Sequence, residues 1–230
     1  MRLPTKPESR KSSRCSRAAV KSTMKNSHRC RKNITRNRKK SSTVFPMIRT
    51  VDMAAIPGDE IVLSKWTGLK GTAEIAGKRE REIREYFSPY FLETVLGFKQ
   101  YLSADREEKA AWEYGASYIK ETGAGGIYGA LWEMAASSGV GLTVYLRDIP
   151  IRQETVEIAN LFDFDPYNLF SGGSLLFTVK SSYALIRALK DEGINARVIG
   201  TVNGSKDRVV VNNGIRRFLT PRDRDPLEDF

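Results

Sequence analysis

Most of this chain contains neither cysteine nor histidine. Both cysteines, Cys15 and Cys30, and the single histidine, His28, precede residue 47. The stretch 47–230 therefore lacks the side chains of Cys/His zinc sites, cysteine nucleophiles, Ser-His-Asp triads and structural disulfides. No apolar run approaches the roughly 18 residues of a membrane span, and no signal-peptide apolar region is present. These absences predict a cytoplasmic protein without a membrane segment or a metal site.

Excess positive charge is confined to the first 46 residues. They hold fifteen Lys and Arg against one acid, Glu8, whereas residues 47–230 hold 23 basic and 26 acidic side chains. The formal net charge of +11 therefore comes from the N-terminal segment alone, and the remainder is slightly acidic. We expect residues 47–230 not to bind nucleic acid, so that any such contact would use the N-terminal segment.

The composition divides the chain into two parts. Residues 1–46 are rich in Arg, Lys, Ser and Asn, which predicts a disordered basic tail, and residues 47–230 suffice for one domain. Three interpretations of the tail compete: a basic arm for RNA or acidic surfaces, a transit peptide, and translated sequence upstream of a start at Met47 or Met53. The abrupt change of composition favours the third, and the missing amphipathic face disfavours the second.

Hydrophobic periodicity predicts an α/β (α+β) domain of irregularly alternating helices and strands. The predicted strands are 61–63, 116–119, 142–146, 175–179, 196–202, 208–212 and 215–219, the last two forming a hairpin about Asn213-Gly214. A helix is predicted to begin at an N-cap Ser181, and the last ten residues are expected to be frayed. This pattern favours a two-layer sandwich in which helices cover a mixed β-sheet.

A glycine-rich turn, Thr122–Gly126, precedes an amphipathic helix that ends near Gly139. Glycines before a helix let a ligand approach the backbone, and the helix start offers unpaired N–H groups to phosphate or carboxylate. The dinucleotide fingerprint is excluded because Tyr128 stands where its last glycine belongs. The alternative is a tight turn that only packs the helix on the sheet.

Five separated motifs occur in order along the chain: Pro57–Leu63, Lys65–Thr72, Gly125–Ala135, Ile149–Thr155 and Ser171–Ser174. Together they resemble the C-terminal domain of AIR synthase-related proteins over about residues 50–220. This superfamily includes PurM, the synthetase half of PurL, thiamine-phosphate kinase, selenophosphate synthetase and HypE, and the resemblance is to bacterial HypE-like proteins in particular.

The resemblance implies an ATP site in a cleft between this domain and an N-terminal domain. In the family, that N-terminal domain carries most of the metal and triphosphate ligands and forms the dimer. Here the basic tail stands in its place, so we expect ATP and Mg for the complete enzyme but no cofactor bound tightly by this chain alone. A separate N-terminal ATP-binding domain, a maturation protein or a second copy are the partners that the resemblance suggests.

The resemblance also assigns candidate site residues, none of them catalytic. The phosphate-facing loop would comprise Thr122, Gly123, Gly125 and Gly126. The cleft would add Lys65, Thr67, Arg152, Gln153, Glu154, Ser171, Gly172 and Gly173. For each cleft side chain taken singly, a structural or solvated role is the competing interpretation.

Two departures from the family pattern limit the functional prediction. The usual Asp-x-Thr run before the paired glycines is Glu121-Thr-Gly-Ala124 here, and the chain ends in Phe230 rather than the cysteine of HypE. We therefore do not expect the thiol chemistry of HypE in this chain. The resemblance implies the C-terminal half of a HypE-like enzyme that phosphorylates or dehydrates an amide, carbonyl or carbamoyl oxygen, and without the ATP-binding domain we expect it to be inactive alone. The alternatives are a non-catalytic interaction module and a basic-tailed nucleic-acid binder.

Overall fold

A computed structural model describes residues 53–220 and 224–230, so the predicted tail lies outside the described residues. Seven strands form one sheet in the order β2-β4-β1-β5-β3-β6-β7. Neighbouring strands are antiparallel except β3 and β6, which are parallel. The strands are β1 Glu60–Ser64, β2 Tyr118–Glu121, β3 Gly141–Tyr145, β4 Leu175–Val179, β5 Ala196–Asn203, β6 Arg208–Asn212 and β7 Ile215–Phe218.

Seven α-helices accompany the sheet in the described residues. They are α1 Leu69–Lys78, α2 Glu80–Tyr86, α3 Pro89–Leu96, α4 Asp105–Glu113, α5 Gly126–Ser138, α6 Gln153–Leu161 and α7 Tyr183–Asp191. Short 3-10 turns cover Gly97–Tyr101, Leu146–Asp148 and Pro226–Asp229. The predicted α/β fold with a mixed sheet is therefore confirmed.

Helices pack on both faces of the sheet, as the alternation along β1 requires. Ile61 and Leu63 point to one face and join the cluster that contains Leu131 and Met134 of α5. Val62 points to the other face and joins the cluster of α4 and α7. β1 and β4 therefore read as nearly continuous apolar runs, because both faces of these two strands are buried.

A third cluster joins α1, α2, α3 and α6 beside the sheet, and the C-terminus packs against it. The ring of Phe230 meets the ring of Phe162 edge to face, with centroids 5.1 Å apart. Pro226 is buried and Leu227 is half-buried. The prediction of a frayed C-terminus is thus wrong for residues 224–230, because their few apolar side chains suffice to anchor a polar segment.

Two local sequence signals differ in how well they predict the structure. Asn213 and Gly214 both have positive φ, 49° and 80°, and connect β6 to β7 as the two-residue hairpin that was predicted. The N-cap of α7 is Ser182 rather than Ser181, and its side chain makes no capping bond. The backbone N–H of Ser182 donates instead to the carboxylate of Glu60.

Within the described part of the chain, no helix is both long enough and apolar enough to span a membrane.

Candidate functional site

The segments predicted to form the site lie at one end of the sheet. Because β1 is antiparallel to β4 and β5, and β2 is antiparallel to β4, the loops after β1 and β2 meet the loops before β4 and β5. Lys65–Gly68 follows β1, Thr122–Gly126 follows β2, and Ser171–Gly173 precedes β4. The strand register therefore brings these three segments together.

Buried hydroxyl groups connect the three loops through Ser171. The N–H of Gly68 donates to Ser171 Oγ at 2.6 Å, and the Thr67 hydroxyl lies 3.1 Å from the same atom. Thr122 Oγ1 donates to the carbonyl oxygens of Ser171 and Ser174 at 2.9 and 3.0 Å. The side chains of Thr67, Thr122 and Ser171 are fully buried. Their hydrogen bonds hold the loops in register and do not point toward solvent.

Lys65 is engaged in a buried ion pair. Its Nζ lies 2.6 Å from Glu107 Oε1, with side-chain exposures of 8% and 1%. The same ammonium donates to the carbonyl oxygens of Ser103 and Gly173 at 2.6 and 2.8 Å. Glu107 Oε1 receives no hydrogen bond within the described residues, so its contact with Lys65 is an ion pair alone. The ammonium of Lys65 is held by groups of the domain itself, which is the structural role that competes with its predicted role in the cleft.

Gly172 and Gly173 are buried and pack closely, so they do not form an open backbone loop. A Cβ on Gly173 would lie 2.7 Å from a Leu69 methyl and 2.8 Å from the Leu102 Cα. The N–H of Gly173 donates to Glu121 Oε1 at 2.7 Å. Glu121 therefore ties the loop before β4 to the end of β2.

The glycine-rich turn holds an anionic group of the chain itself. The N–H of Gly125 donates to Asp225 Oδ2 at 2.9 Å, and the N–H of Phe170 donates to Asp225 Oδ1 at 3.3 Å. Asp225 also caps the C-terminal 3-10 turn by accepting from the N–H of Leu227 at 2.9 Å. The turn therefore binds a carboxylate in the way that a helix N-terminus favours.

Gly126 does not face an open crevice, which corrects that part of the expectation. Its N–H closes the turn by donating to Gly123 O at 3.1 Å. A Cβ there would lie 2.5 Å from Tyr167 O and 2.6 Å from Leu169 O. With φ at 58°, the residue is glycine because the backbone of residues 167–169 passes directly against it.

Asp225 was not among the residues predicted from the sequence. Its neighbour Pro226 is the available signal, because Asp-Pro is a typical N-cap followed by proline at the first helical position. That signal predicts a turn near the C-terminus. It does not reveal that the carboxylate also meets a loop 100 residues earlier, since this contact depends on the tertiary fold.

The loop before α6 contributes Arg152 to the same end of the sheet. Its guanidinium carbon lies 4.6 Å from the centre of the Trp66 ring and 5.9 Å from that of Phe98. Gln153 turns away and donates to Glu157 of its own helix at 2.6 Å. Glu154 is half-buried in the first turn of α6. Of these three cleft candidates, Arg152 contacts Trp66 in the Lys65–Gly68 segment.

Two tyrosines stack beside the glycine-rich turn. The rings of Tyr128 and Tyr167 lie 5.5 Å apart at an angle of 23°. Burial, and then the negative charge of Asp165, raise the pKa of both hydroxyl groups above the ordinary value of 10. Both tyrosines therefore stay neutral at physiological pH and offer the site hydroxyl groups but no charge.

Metal ligands are not gathered at this site. Among residues 53–220 and 224–230, no three His, Cys, Asp or Glu side chains come close enough together to hold a metal ion. A magnesium ion bound with a nucleotide would need ligands from outside this set.

Comparison with known proteins identifies the class to which this fold belongs. Residues 57–212 match the family model described as AIR synthase related protein, C-terminal domain. The chain belongs to that family. It is also similar to a putative hydrogenase expression/formation protein of Methanocaldococcus jannaschii, with 29% identity over 114 residues. This match covers 47% of the chain and 34% of the relative.

Solved HypE structures share the fold. A hydrogenase maturation protein HypE in complex with ATP superposes with a TM-score of 0.59 at 20% identity, covering 76% of this chain and 54% of that one. A HypE–HypF complex gives 0.56 at 21% identity, with coverages of 74% and 55%. The chain therefore spans about half the length of the HypE chains that it resembles, and at this identity the likeness establishes the fold alone.

Proposed function

We propose that this domain is the C-terminal half of an ATP-dependent, HypE-like enzyme that acts in the cytoplasm. The ancestral reaction would be phosphorylation or dehydration of an amide, carbonyl or carbamoyl oxygen. The observation that carries the proposal is the carboxylate of Asp225 on the N–H groups of Gly125 and Phe170. A turn that holds a carboxylate has the donors to hold a phosphate oxygen of a nucleotide or substrate.

Within this scheme, the turn supplies backbone donors and the other half of the enzyme supplies the metal ligands. The described residues would bind phosphate oxygens through Gly125 and Phe170, and Asp225 would have to leave before they did so. Mg-ATP would bring the transferable phosphoryl group when it is bound by the complete enzyme. The buried network around Ser171 would keep the turn in place during that exchange.

The chain alone should bind nucleotide weakly. Charge-assisted hydrogen bonds contribute about 1.5–3 kcal/mol each, whereas association costs an estimated 4–15 kcal/mol. Two N–H donors contribute about 3–6 kcal/mol, which does not exceed that cost by much, so the dissociation constant should be about 1 mM or weaker. We expect neither ATPase activity nor tight nucleotide binding until an ATP-binding domain is added.

Calorimetry with Mg-ATP tests this proposal. The chain is titrated first alone and then with the separately expressed N-terminal domain of a HypE relative. We expect a signal in the millimolar range from the chain alone and at least about tenfold tighter binding from the mixture than from either component. A micromolar dissociation constant for the chain alone, or no gain on mixing, would contradict the proposal.

A protein-interaction module remains the second candidate, because β7 is an exposed edge strand. All four of its residues are exposed, with Ile215 at 60% and Phe218 at 72%. An edge strand with apolar side chains is a surface on which another chain can pair. If mixing fails to restore nucleotide binding while β7 signals shift in an NMR titration with the same domain, this candidate is favoured.

A further inference from the structure

Two adjoining cavities open beside Trp66, near the loops after β1 and β3 and before β5. Their volumes are about 570 and 220 Å³, which together suit a small-molecule ligand. Residues common to both linings are Lys65, Trp66, Arg152 and Asn195. Neither lining includes a residue of the Thr122–Gly126 turn or Asp225, so this region is separate from the proposed phosphate loop.

Every charged residue that lines the two cavities is basic. These residues are Lys65, Arg106, Arg147, Arg152 and Arg197. Glu107 neutralises Lys65, and Asp148 lies 2.9 Å from Arg197. No carboxylate within the described ranges lies at ion-pair distance from Arg106, Arg147 or Arg152. Three positive charges are therefore left uncompensated within a domain whose balance is slightly acidic.

A buried donor at the same place lacks an acceptor. Trp66 is only 7% exposed, and within the described part of the chain its indole Nε1 has no hydrogen-bond partner. Phe98 and Tyr101 fix the ring edge to face, at centroid distances of 5.3 and 5.2 Å. The guanidinium of Arg152 lies over the ring. Buried polar groups are normally satisfied, so this N–H indicates that a partner from outside the domain completes the site.

We infer that the cavities around Trp66 bind an oxyanion, the phosphate or carboxylate group of a small molecule. Guanidinium groups bind both anions through paired N–H donors, and Arg152 is already positioned for this by its contact with the Trp66 ring. Arg106 and Arg147 supply further positive charge from the two sides. An oxygen of the anion is the acceptor that the indole N–H lacks. The inference does not depend on the proposed role of the Gly125 turn.

The indole N–H of Trp66 is a local probe for this site. The full chain has three tryptophans, Trp66, Trp112 and Trp132, so a ¹H–¹⁵N spectrum shows three indole signals that Trp66→Phe assigns. The chain is titrated with inorganic phosphate at constant ionic strength, with sodium chloride as the blank. A local probe is needed because the basic residues 1–46 also attract phosphate.

We expect phosphate to shift the Trp66 indole signal saturably and to leave Trp112 and Trp132 in place. Arg152→Gln should weaken phosphate binding at least about tenfold, and Arg147→Gln serves instead if that variant does not fold. Arg216→Gln, which removes an exposed charge on β7, is the matched control and should change nothing.

A titration with succinate identifies the anionic group that the cavities bind. Tighter binding of phosphate than of succinate indicates a phosphate group, and equal or tighter binding of succinate indicates a carboxylate. If neither anion moves the Trp66 signal beyond the chloride blank, the inference is overturned. It is also overturned if Arg216→Gln weakens binding as much as the cavity variants do, because the effect would then be general charge screening.

Discussion

The turns that precede α1 and α5 share a backbone conformation but hold different partners. Gly68 has φ 74° and ψ 10°, and Gly125 has φ 73° and ψ 8°. The N–H of Gly68 donates to the neutral hydroxyl of Ser171, in surroundings closed to solvent. The N–H of Gly125 donates to the carboxylate of Asp225, in a half-buried position. A left-handed glycine before a helix is therefore not by itself an anion site.

What distinguishes the two turns is the chain around them. Near Gly68, an ion pair and several hydroxyl groups from four segments contact one another, and the backbone N–H of Gly68 is already bound to Ser171. At Gly125, the partner comes from a single C-terminal segment that covers the turn. The first turn is fixed by mutual burial, and the second is held by a contact that another anion could replace. Substitutions in the two turns should therefore have different effects.

The largest effect should follow loss of the charge that anchors the first turn. Glu107→Ala leaves the ammonium of Lys65 buried without its counter-ion, which should lower the free energy of unfolding by about 3–5 kcal/mol. Glu108→Ala removes an exposed carboxylate one residue along the same helix and is the control. Urea unfolding of both variants measures the difference. Equal, small losses would show that Lys65 is not held by this pair.

The next largest loss of stability is expected at Gly126 in the second turn, because the backbone of residues 167–169 passes directly against it. Gly126→Ala combines a positive φ, which costs about 1–2 kcal/mol, with contacts under 3 Å to carbonyl oxygens, which cost about 1–3 kcal/mol more. Gly139→Ala is the matched control, because Gly139 also has a positive φ, 67°, but open space surrounds it. Thermal unfolding should show a clearly greater loss for Gly126→Ala. Similar losses in both would mean that the backbone contact yields without cost.

The sequence predicted the sheet and its helices better than it predicted the site. Apolar alternation and the Asn213-Gly214 dipeptide depend on neighbours in the chain, so they can be read from the sequence directly. Burial of Lys65 depends on Glu107, which belongs to α4, and no local signal links these two positions. The same holds for Gly125 and Asp225, 100 residues apart. Contacts between distant segments decide which polar residues remain free to bind a ligand.

A smaller loss should follow removal of the hydroxyl that closes the first turn. Ser171→Ala deprives the buried N–H of Gly68 and the hydroxyl of Thr67 of their partner, which should cost about 2 kcal/mol. Ser181→Ala, at an exposed serine outside the network, is the control and should be nearly neutral. Denaturant unfolding tests the pair. An unchanged midpoint for Ser171→Ala would indicate that water replaces the lost hydroxyl and that this turn is more open than its burial indicates.

The smallest change in stability, about 1 kcal/mol, is expected from Asp225→Ala, because it removes a cap and water can reach the half-buried Gly125 N–H.

The effect of Asp225→Ala on phosphate binding should be larger. With the carboxylate gone, inorganic phosphate should shift the Gly125 amide signal at lower concentrations than in the unaltered chain, since it no longer competes with an attached anion. The Gly68 amide is the internal control and should not respond in either protein, because Ser171 already satisfies it. If phosphate does not shift the Gly125 signal even in Asp225→Ala, Asp225 is a structural cap on a turn that does not bind ligands. If Gly68 responds as well, mutual burial does not close the first turn.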